Sequence, residues 1–172
     1  MRSVIALFSC AALLALVNFS IVGKERQLVT GKVVYLELAP VDPRSLMQGD
    51  YMALRFKIAN EARPAMQRAP SSDVRRFRQG DLASADGRIV AALDAGSIAI
   101  YRRLDDGSAL APEEILLRYR VREGQIKFAT NAFFFQEGTA NRYAGARYGE
   151  FRVAPDGELL LVGLRDRDLR PL

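Results

Sequence analysis

The residues in this sequence best suited to covalent chemistry are one serine and the lysines. Ser45 lies in the line PVDPRSLMQGDYMALRF, and a serine nucleophile needs a neighbouring base. The chain has no histidine, so the sequence excludes the Ser-His-Asp and Cys-His systems and leaves only a lysine of lowered pKa as the base. Lys57 is expected on the polar face of a strand, so Lys127 is the candidate base.

A Ser/Lys hydrolase is the third of three functional hypotheses. Membrane-anchored, β-rich signal peptidases are of this kind, and their serine precedes a Gly-Asp strand start, as Ser45 does here. Those enzymes carry Ser-Met-x-Pro at the nucleophile, whereas this chain reads Ser-Leu-Met-Gln with no proline following. We therefore predict that the protein is not an enzyme, with the Ser/Lys hydrolase as an alternative.

The composition argues against a metal site, a cofactor and a nucleic-acid partner. Histidine is absent, the single cysteine, Cys10, lies inside the first apolar run, and no carboxylate cluster has the spacing of a metal-binding loop. The net charge of +5 favours anionic surfaces such as lipid headgroups. It is too small, without a reader motif, to indicate nucleic acid.

The amino-terminal segment predicts a membrane anchor. An apolar run from 3 to 22 is followed by the charged residues 24–26, and twenty helical residues span roughly the 30 Å of a bilayer core. A cleaved signal peptide and a lipoprotein site at Cys10 are the alternatives, but the first lacks small residues before a cut and the second leaves too short an apolar region. We expect an uncleaved signal anchor at 1–23 and a domain at 24–172.

The orientation of this anchor rests on weaker signals. Arg2 and the amino terminus favour a cytoplasmic start, whereas Lys24 and Arg26 favour the opposite. Long domains are translocated largely regardless of flanking charge. We therefore predict a single-pass protein with its carboxy-terminal domain on the extracytoplasmic side.

Beyond residue 29 the chain alternates apolar and polar residues in short runs separated by turn signals, which is typical of hairpins. Turns are predicted at 94–96, 105–107, 123–124 and 155–157. Strands are predicted at 32–38, 51–58, 88–93, 97–104, 114–121, 125–130, 149–153 and 158–164.

Two segments do not alternate. Residues 60–79 indicate a loop with a short helix near 73–78, and residues 139–147 indicate a turn or two of helix. The predicted fold is mainly β. It is an antiparallel barrel or sandwich of hairpins with one short helix, preceded by a single amino-terminal transmembrane helix.

A basic stripe is predicted on the strand at 114–121, where Arg118 and Arg120, with Arg122 just beyond, alternate with apolar residues and face outward. A half-buried strand needs polar outward positions, so this pattern has a purely structural explanation. The alternative is a surface that binds lipid phosphate or an acidic partner, joined by Arg55 and Lys57 if those strands are neighbours.

The line around Ser45 also has a structural interpretation. Pro40 and Pro43 lack an N–H and must end the first strand. Gly49 supplies a positive φ, and the side chain of Asp50 caps the turn before the next strand. The line therefore directs the chain around a corner.

The run GDYMALRF resembles the signature of the bacterial family named after its GDYxxLxY motif. Gly49, Asp50, Tyr51 and Leu54 match, and Phe56 replaces the last tyrosine, which removes any hydrogen bond from that hydroxyl. The lead-in to the motif, FFFQEG ending at 138, RYAGARYGE at 142–150 and the carboxy-terminal DGELLLVGLRDRDL are similar to that family too. The resemblance implies anchoring in the bacterial inner membrane and genes beside multi-pass membrane proteins, and it implies no catalytic residues.

Polar aromatic and acidic residues around the predicted short helix suggest a binding pocket at a sheet rim. Its members, with the motif residues, are Asp50, Tyr51, Glu137, Gly138, Tyr143, Tyr148 and Glu150. The alternative is that the tyrosines seal the rim and the glutamates cap backbone N–H groups. We expect an accessory or interaction subunit of an integral membrane protein, with a small-ligand sensor or carrier domain as the alternative.

Overall fold

A computed structural model describes residues 2–39, 47–48, 51–68, 82, 84–130 and 132–172. The elements within them are, in chain order, α1 (Arg2–Thr30), β1 (Lys32–Glu37), β2 (Met47–Gln48), β3 (Tyr51–Ala53), α2 (Lys57–Arg68), β4 (Ala85–Leu93), β5 (Ala99–Leu104), β6 (Glu114–Arg122), β7 (Gln125–Lys127), β8 (Ala132–Phe134), α3 (Ala140–Tyr143), β9 (Tyr148–Val153) and β10 (Leu159–Arg165). The predicted corner at Pro40, Pro43, Gly49 and Asp50 lies outside the described residues, as does the helix predicted at 73–78.

The strands form three antiparallel sheets that curve into a half-barrel, which confirms the mainly β prediction. Their strand orders are β1-β9-β10, β2-β3-β8 and β5-β4-β6-β7. Backbone hydrogen bonds join the β1-β9-β10 sheet to the four-stranded sheet at two places, from Tyr35 to Ser97 at 2.9 Å and from Arg118 to Gly157 at 2.8 Å. Strand β6 therefore lies next to the turn between β9 and β10.

The predicted turns are present where the sequence places them. Glu123 and Gly124 both have positive φ, 56° and 69°, as a two-residue hairpin turn between β6 and β7 requires. Gly157 has a φ of 87° in the β9–β10 turn. Asp94 Oδ1 accepts hydrogen bonds from the backbone N–H groups of Gly96 and Ile98, both at 2.8 Å, and so closes the β4–β5 turn.

The core lies between the inner faces of the β1-β9-β10 sheet and the four-stranded sheet, together with α2. Its largest fully buried side chains are Phe128, Phe151, Leu36, Ile89, Leu117, Val34, Val90 and Val153. Val34 and Leu36 are inward on β1, and Leu117 and Val121 are inward on β6, as the alternation predicts. Each buried aliphatic or aromatic side chain contributes about 1.5–3 kcal/mol, so this cluster supplies the main driving force for folding.

The strand predicted at 51–58 is wrong after Ala53, and the loop predicted from residue 60 begins as helix. The chain leaves β3 and enters α2 at Lys57. Ile58, Ala59 and Ala62 are buried with the spacing of one helix face. The alternation at 52–58 identified buried residues correctly, but the last of them packs from a helix.

The helix predicted at 139–147 is shorter in the structure, where α3 covers only Ala140–Tyr143. The fold thus contains α2 in addition to the one short helix that the sequence predicts. Helix α1 is long and apolar enough to cross a membrane from Phe8 to Thr30, and its most apolar window is not buried in the domain. It continues past the predicted end of the anchor at 23.

Candidate functional site

The three arginines of the predicted basic stripe are exposed on the outer face of β6, as the alternation predicts. They line a groove of about 630 Å³, which we call the basic groove. Its lining residues are Lys24, Asp86, Arg118, Arg120, Arg122, Ala129, Thr130, Glu158, Leu159, Leu160 and Leu161. The groove therefore lies where β6 and the start of β10 face the end of α1.

The basic groove holds more cations than carboxylates. Lys24 Nζ lies 2.6 Å from Glu158 Oε1, and Arg122 Nη2 lies 2.8 Å from Asp86 Oδ1. Arg120 Nη2 donates to the backbone oxygen of Ala129 at 2.9 Å. Within the described part of the chain Arg118 and Arg120 have no ion pair, so two positive charges in the groove are not neutralised by the protein.

The register of the sheet places further cations beside these two arginines. Arg118 is opposite Arg88 on β4. Arg120 is opposite Lys127 on β7 and, on its other side, opposite Asp86 of β4, whose ion pair is with Arg122. Like charges directly opposite each other on one sheet face are destabilising. Arg88 is paired with Asp105 at 2.8 Å and Lys127 with Glu123 at 3.4 Å, which leaves the excess charge on β6. This arrangement suits an anionic ligand.

The last turns of α1 are attached to the β9–β10 hairpin. Gln27 is buried, and its Nε2 donates to the backbone oxygens of Arg152 at 3.1 Å and Glu158 at 2.8 Å. The Lys24–Glu158 ion pair lies one turn earlier on the helix. A buried amide that satisfies two carbonyls holds its helix in one position, so α1 and the domain are coupled without a linker.

Sequence reasoning missed three charged residues of the basic groove, Lys24, Asp86 and Glu158, and all of its uncharged ones. Their contacts join parts of the chain that are far apart in sequence, and no local pattern signals them. Arg55 and Lys57 were expected to join the stripe if their strand lay beside it. They are not among the lining residues, because the chain there turns into α2.

The motif residues occupy two environments. Tyr51 is half-buried on β3, and its ring lies 5.9 Å from that of Phe134 on β8. Leu54 and Phe56 belong to the core, at 5% and 4% exposure. Gly49 and Asp50 lie outside the described residues. The motif thus connects a partly exposed aromatic surface with the centre of the domain.

Phe56 is the position at which this chain departs from the motif. Its ring packs edge-on against Phe128 and Phe151, with centroids 6.3 Å and 5.5 Å away. A Cβ at Gly149 would lie 3.1 Å from the Phe56 ring and 2.9 Å from that of Phe151. Glycine at 149 therefore lets the two rings approach β9, and the apolar Phe56 suits this enclosure.

The residues of the predicted rim pocket are divided between two places. Tyr143 on α3 packs against Phe133 and Phe135, with ring centroids 5.0 Å and 5.3 Å away. Glu137 and Gly138 are exposed in the turn before α3. Any meeting of Glu137 with Asp50 falls outside the described residues, so the rim pocket stays a prediction.

Tyr148 and Glu150 lie instead on the outer face of the β1-β9-β10 sheet. Glu150 is buried and forms an ion pair with Arg165 on β10. Lys57 Nζ donates to Glu37 Oε2 at 2.8 Å, and this hydrogen bond raises the pKa of Lys57. We call Glu37, Lys57, Glu150 and Arg165 the paired face, because each of its charges has an opposite partner.

The structure does not describe the distance between the serine and the lysine on which the hydrolase alternative depends. Ser45 lies outside the described residues, and Lys127 lies on the outer face of β7 beside Glu123. Among the residues that the structure describes, no group of three or more histidines, cysteines, aspartates or glutamates is arranged to hold a metal ion.

Comparison with known proteins identifies one family. A family model described as GDYXXLXY protein matches residues 13–164. No curated protein and no solved structure matched the chain. The match covers the part of α1 that follows the first turns and almost the whole β domain, including the motif, the basic groove and three of the four residues of the paired face, since it ends one residue before Arg165.

Proposed function

The chain belongs to the GDYXXLXY protein family, and from this premise we propose that it is a membrane-anchored accessory subunit of a multi-pass membrane protein. In this proposal α1 spans the inner membrane of a bacterium once, and the β domain lies on the extracytoplasmic side. The domain supplies contacts to the partner and performs no reaction of its own.

The observation that carries the proposal is the exposure of α1. Its most apolar window is not buried by the domain, and Phe8 and Phe19 are 78% and 82% exposed. Large contiguous apolar surfaces in water mark sites that lipid or another protein covers. A single helix of this length satisfies its own backbone in a bilayer and leaves its side chains available to lipid or to a neighbouring helix.

The attachment of α1 to the β9–β10 hairpin supports an accessory role. Because Gln27 and Lys24 hold the helix against the domain, the domain keeps one orientation relative to α1. A subunit that must meet a partner both inside and outside the bilayer benefits from this coupling, because less conformational freedom is lost on binding.

Purification of the tagged full-length chain from membranes in mild detergent tests the partner. We expect a multi-pass membrane protein at a constant stoichiometric ratio. The control is a chain in which residues 8–22 are replaced by an unrelated apolar helix of equal length while Lys24 and Gln27 are retained. This control should stay in the membrane and lose the partner. A full-length chain that purifies alone contradicts the proposal.

Cysteine labelling tests the orientation separately. Arg102 is exposed on β5, so Arg102→Cys in a Cys10→Ala background gives one accessible thiol. We expect a membrane-impermeant maleimide to label this variant in intact cells as fully as in lysed cells. Labelling only after lysis would place the domain in the cytoplasm.

A further inference from the structure

We propose that the basic groove binds the phosphate of an anionic lipid headgroup, with Arg118 and Arg120 as its principal ligands. This inference rests on the membrane anchoring in the proposed function and not on the presence of a protein partner. It assigns a ligand class to the groove, which neither the family nor the anchor specifies.

The groove lies at the level where α1 leaves the apolar run. Lys24 follows that run after Gly23 and lines the groove, and its ammonium contacts Glu158 immediately before β10. The β9–β10 turn also lies beside the part of the helix that precedes Lys24. Phe19 and Ser20 line a second cavity of about 500 Å³ together with Pro155 of this turn. With α1 in a bilayer, this turn and the adjoining groove are at the headgroup layer.

The charges of the groove suit a phosphate monoanion. Lys24 and Arg122 are paired within the protein, whereas Arg118 and Arg120 have no carboxylate partner among the described residues. Each guanidinium presents several N–H donors in one plane, which matches phosphate oxygens. The cations opposite them, Arg88 and Lys127, are paired with Asp105 and Glu123, so the charge left for a bound anion is that of Arg118 and Arg120.

The remaining wall of the groove distinguishes a lipid from a free anion. Leu160, partly exposed on the outer face of β10, lines it beside the charged groups, together with the parts of Leu161 and Ala129 that the core does not cover. A soluble phosphate gains nothing from such side chains, whereas the glycerol and first acyl carbons of a lipid gain from burial against them. We therefore assign the site to a lipid and not to inorganic phosphate.

The test uses the full-length chain in a neutral detergent, titrated with short-chain phosphatidylglycerol, short-chain phosphatidylcholine or inorganic phosphate. The thermal unfolding midpoint is followed, because a ligand that binds only the folded state raises it. We expect saturable stabilisation by phosphatidylglycerol and none by phosphatidylcholine. Replacing Arg118 and Arg120 by alanine together should weaken the apparent affinity about 30-fold, since each cation near an anionic lipid surface strengthens binding about fivefold.

The matched control replaces Arg102 and Arg147, two exposed arginines that do not line the groove. This variant should respond to phosphatidylglycerol as the wild type does. Equal responses of the groove variant and the wild type would overturn the proposal. Stabilisation by inorganic phosphate without stabilisation by phosphatidylglycerol would overturn the lipid assignment in favour of a soluble anion.

Two further outcomes separate this proposal from the accessory role. If the Arg118 and Arg120 variant loses a co-purifying membrane protein but keeps its response to phosphatidylglycerol, the groove binds an acidic segment of that protein and the lipid site is wrong. If the wild type purifies alone but responds to phosphatidylglycerol through these arginines, the accessory role fails and the lipid site stands.

Discussion

The paired face and the basic groove use charge in opposite ways. On the paired face, two cations meet two carboxylates, and Glu150 is 5% exposed. In the groove, four cations meet two carboxylates, and the two unpaired arginines are exposed. The difference teaches that the balance and burial of charges, and not their number, separate a structural surface from a candidate binding surface in this domain.

The energetic reason is desolvation. A buried carboxylate must keep its partner, because an unpaired buried charge costs several kcal/mol. An exposed arginine remains hydrated and is tolerated without a partner, so it is free to exchange water for a ligand. The paired face should therefore respond to mutation in stability, and the groove should respond in binding.

The largest effect is expected at Glu150. Replacing it by alanine leaves the Arg165 guanidinium largely buried without its partner, and we expect a loss of about 3 kcal/mol in the free energy of unfolding. Denaturant unfolding followed by circular dichroism measures this loss. Glu113→Ala, at an exposed glutamate, is the control and should change stability little. Equal stability of the two variants would remove the distinction between the two surfaces.

Gln27 is expected to have the next largest effect. Gln27→Ala leaves the backbone oxygens of Arg152 and Glu158 without their donor, at a cost of about 2 kcal/mol. Hydrogen exchange should become faster at the amides of the β9–β10 turn, because the helix no longer covers them. Gln136→Ala, at an exposed glutamine, is the control. Unchanged exchange in that turn would argue against coupling of α1 to the domain.

A smaller effect is expected from alkaline pH at the Lys57–Glu37 pair. The hydrogen bond to Glu37 raises the pKa of Lys57 above 10.5, so the pair contributes fully below that pH and its contribution is lost as pH rises through the folded value. Lys57→Met should be less stable than the wild type by a constant amount at neutral pH. The difference should vanish at strongly alkaline pH. Lys32→Met, at an exposed lysine, should show no such convergence.

The smallest effect on stability is expected from the groove arginines. Replacing Arg118 and Arg120 by alanine removes two exposed side chains that have no ion pair within the described part of the chain, so the free energy of unfolding should stay within about 0.5 kcal/mol of the wild type. The same denaturant assay measures it. A loss comparable to that of Glu150→Ala would make these arginines structural residues and would leave the groove without a role in binding.

The sequence predicts the hairpins well, because alternation and turn chemistry are local. The turns at 123–124 and 155–157 follow from Gly124 and Gly157, which have positive φ. The turn at 94–96 follows from Asp94, whose side chain accepts two backbone hydrogen bonds. The outward direction of Arg118 follows from the same period of two. Each of these features is determined within about ten residues of chain.

The remaining features depend on long-range contacts. At residues 52–58 the apolar pattern fits a strand, but packing of Ile58 and Ala62 against the core favours a helix. Nothing near Gln27 indicates that it meets β9 and β10, and nothing near Lys24 indicates a groove shared with β6. The sequence therefore predicted the arginines that β6 contributes to the groove. It predicted neither the residues that α1 and β10 contribute nor the position of the groove beside α1.

Because no linker separates α1 from the domain, the number of residues in α1 determines the direction in which the domain faces. Each residue inserted in a helix rotates the rest of the chain by about 100° around the axis and moves it by about 1.5 Å. One residue added between the apolar run and Lys24 would turn the arginines of β6 away from their original azimuth. Seven added residues would nearly restore that azimuth and would lift the whole domain by about two helical turns away from the bilayer.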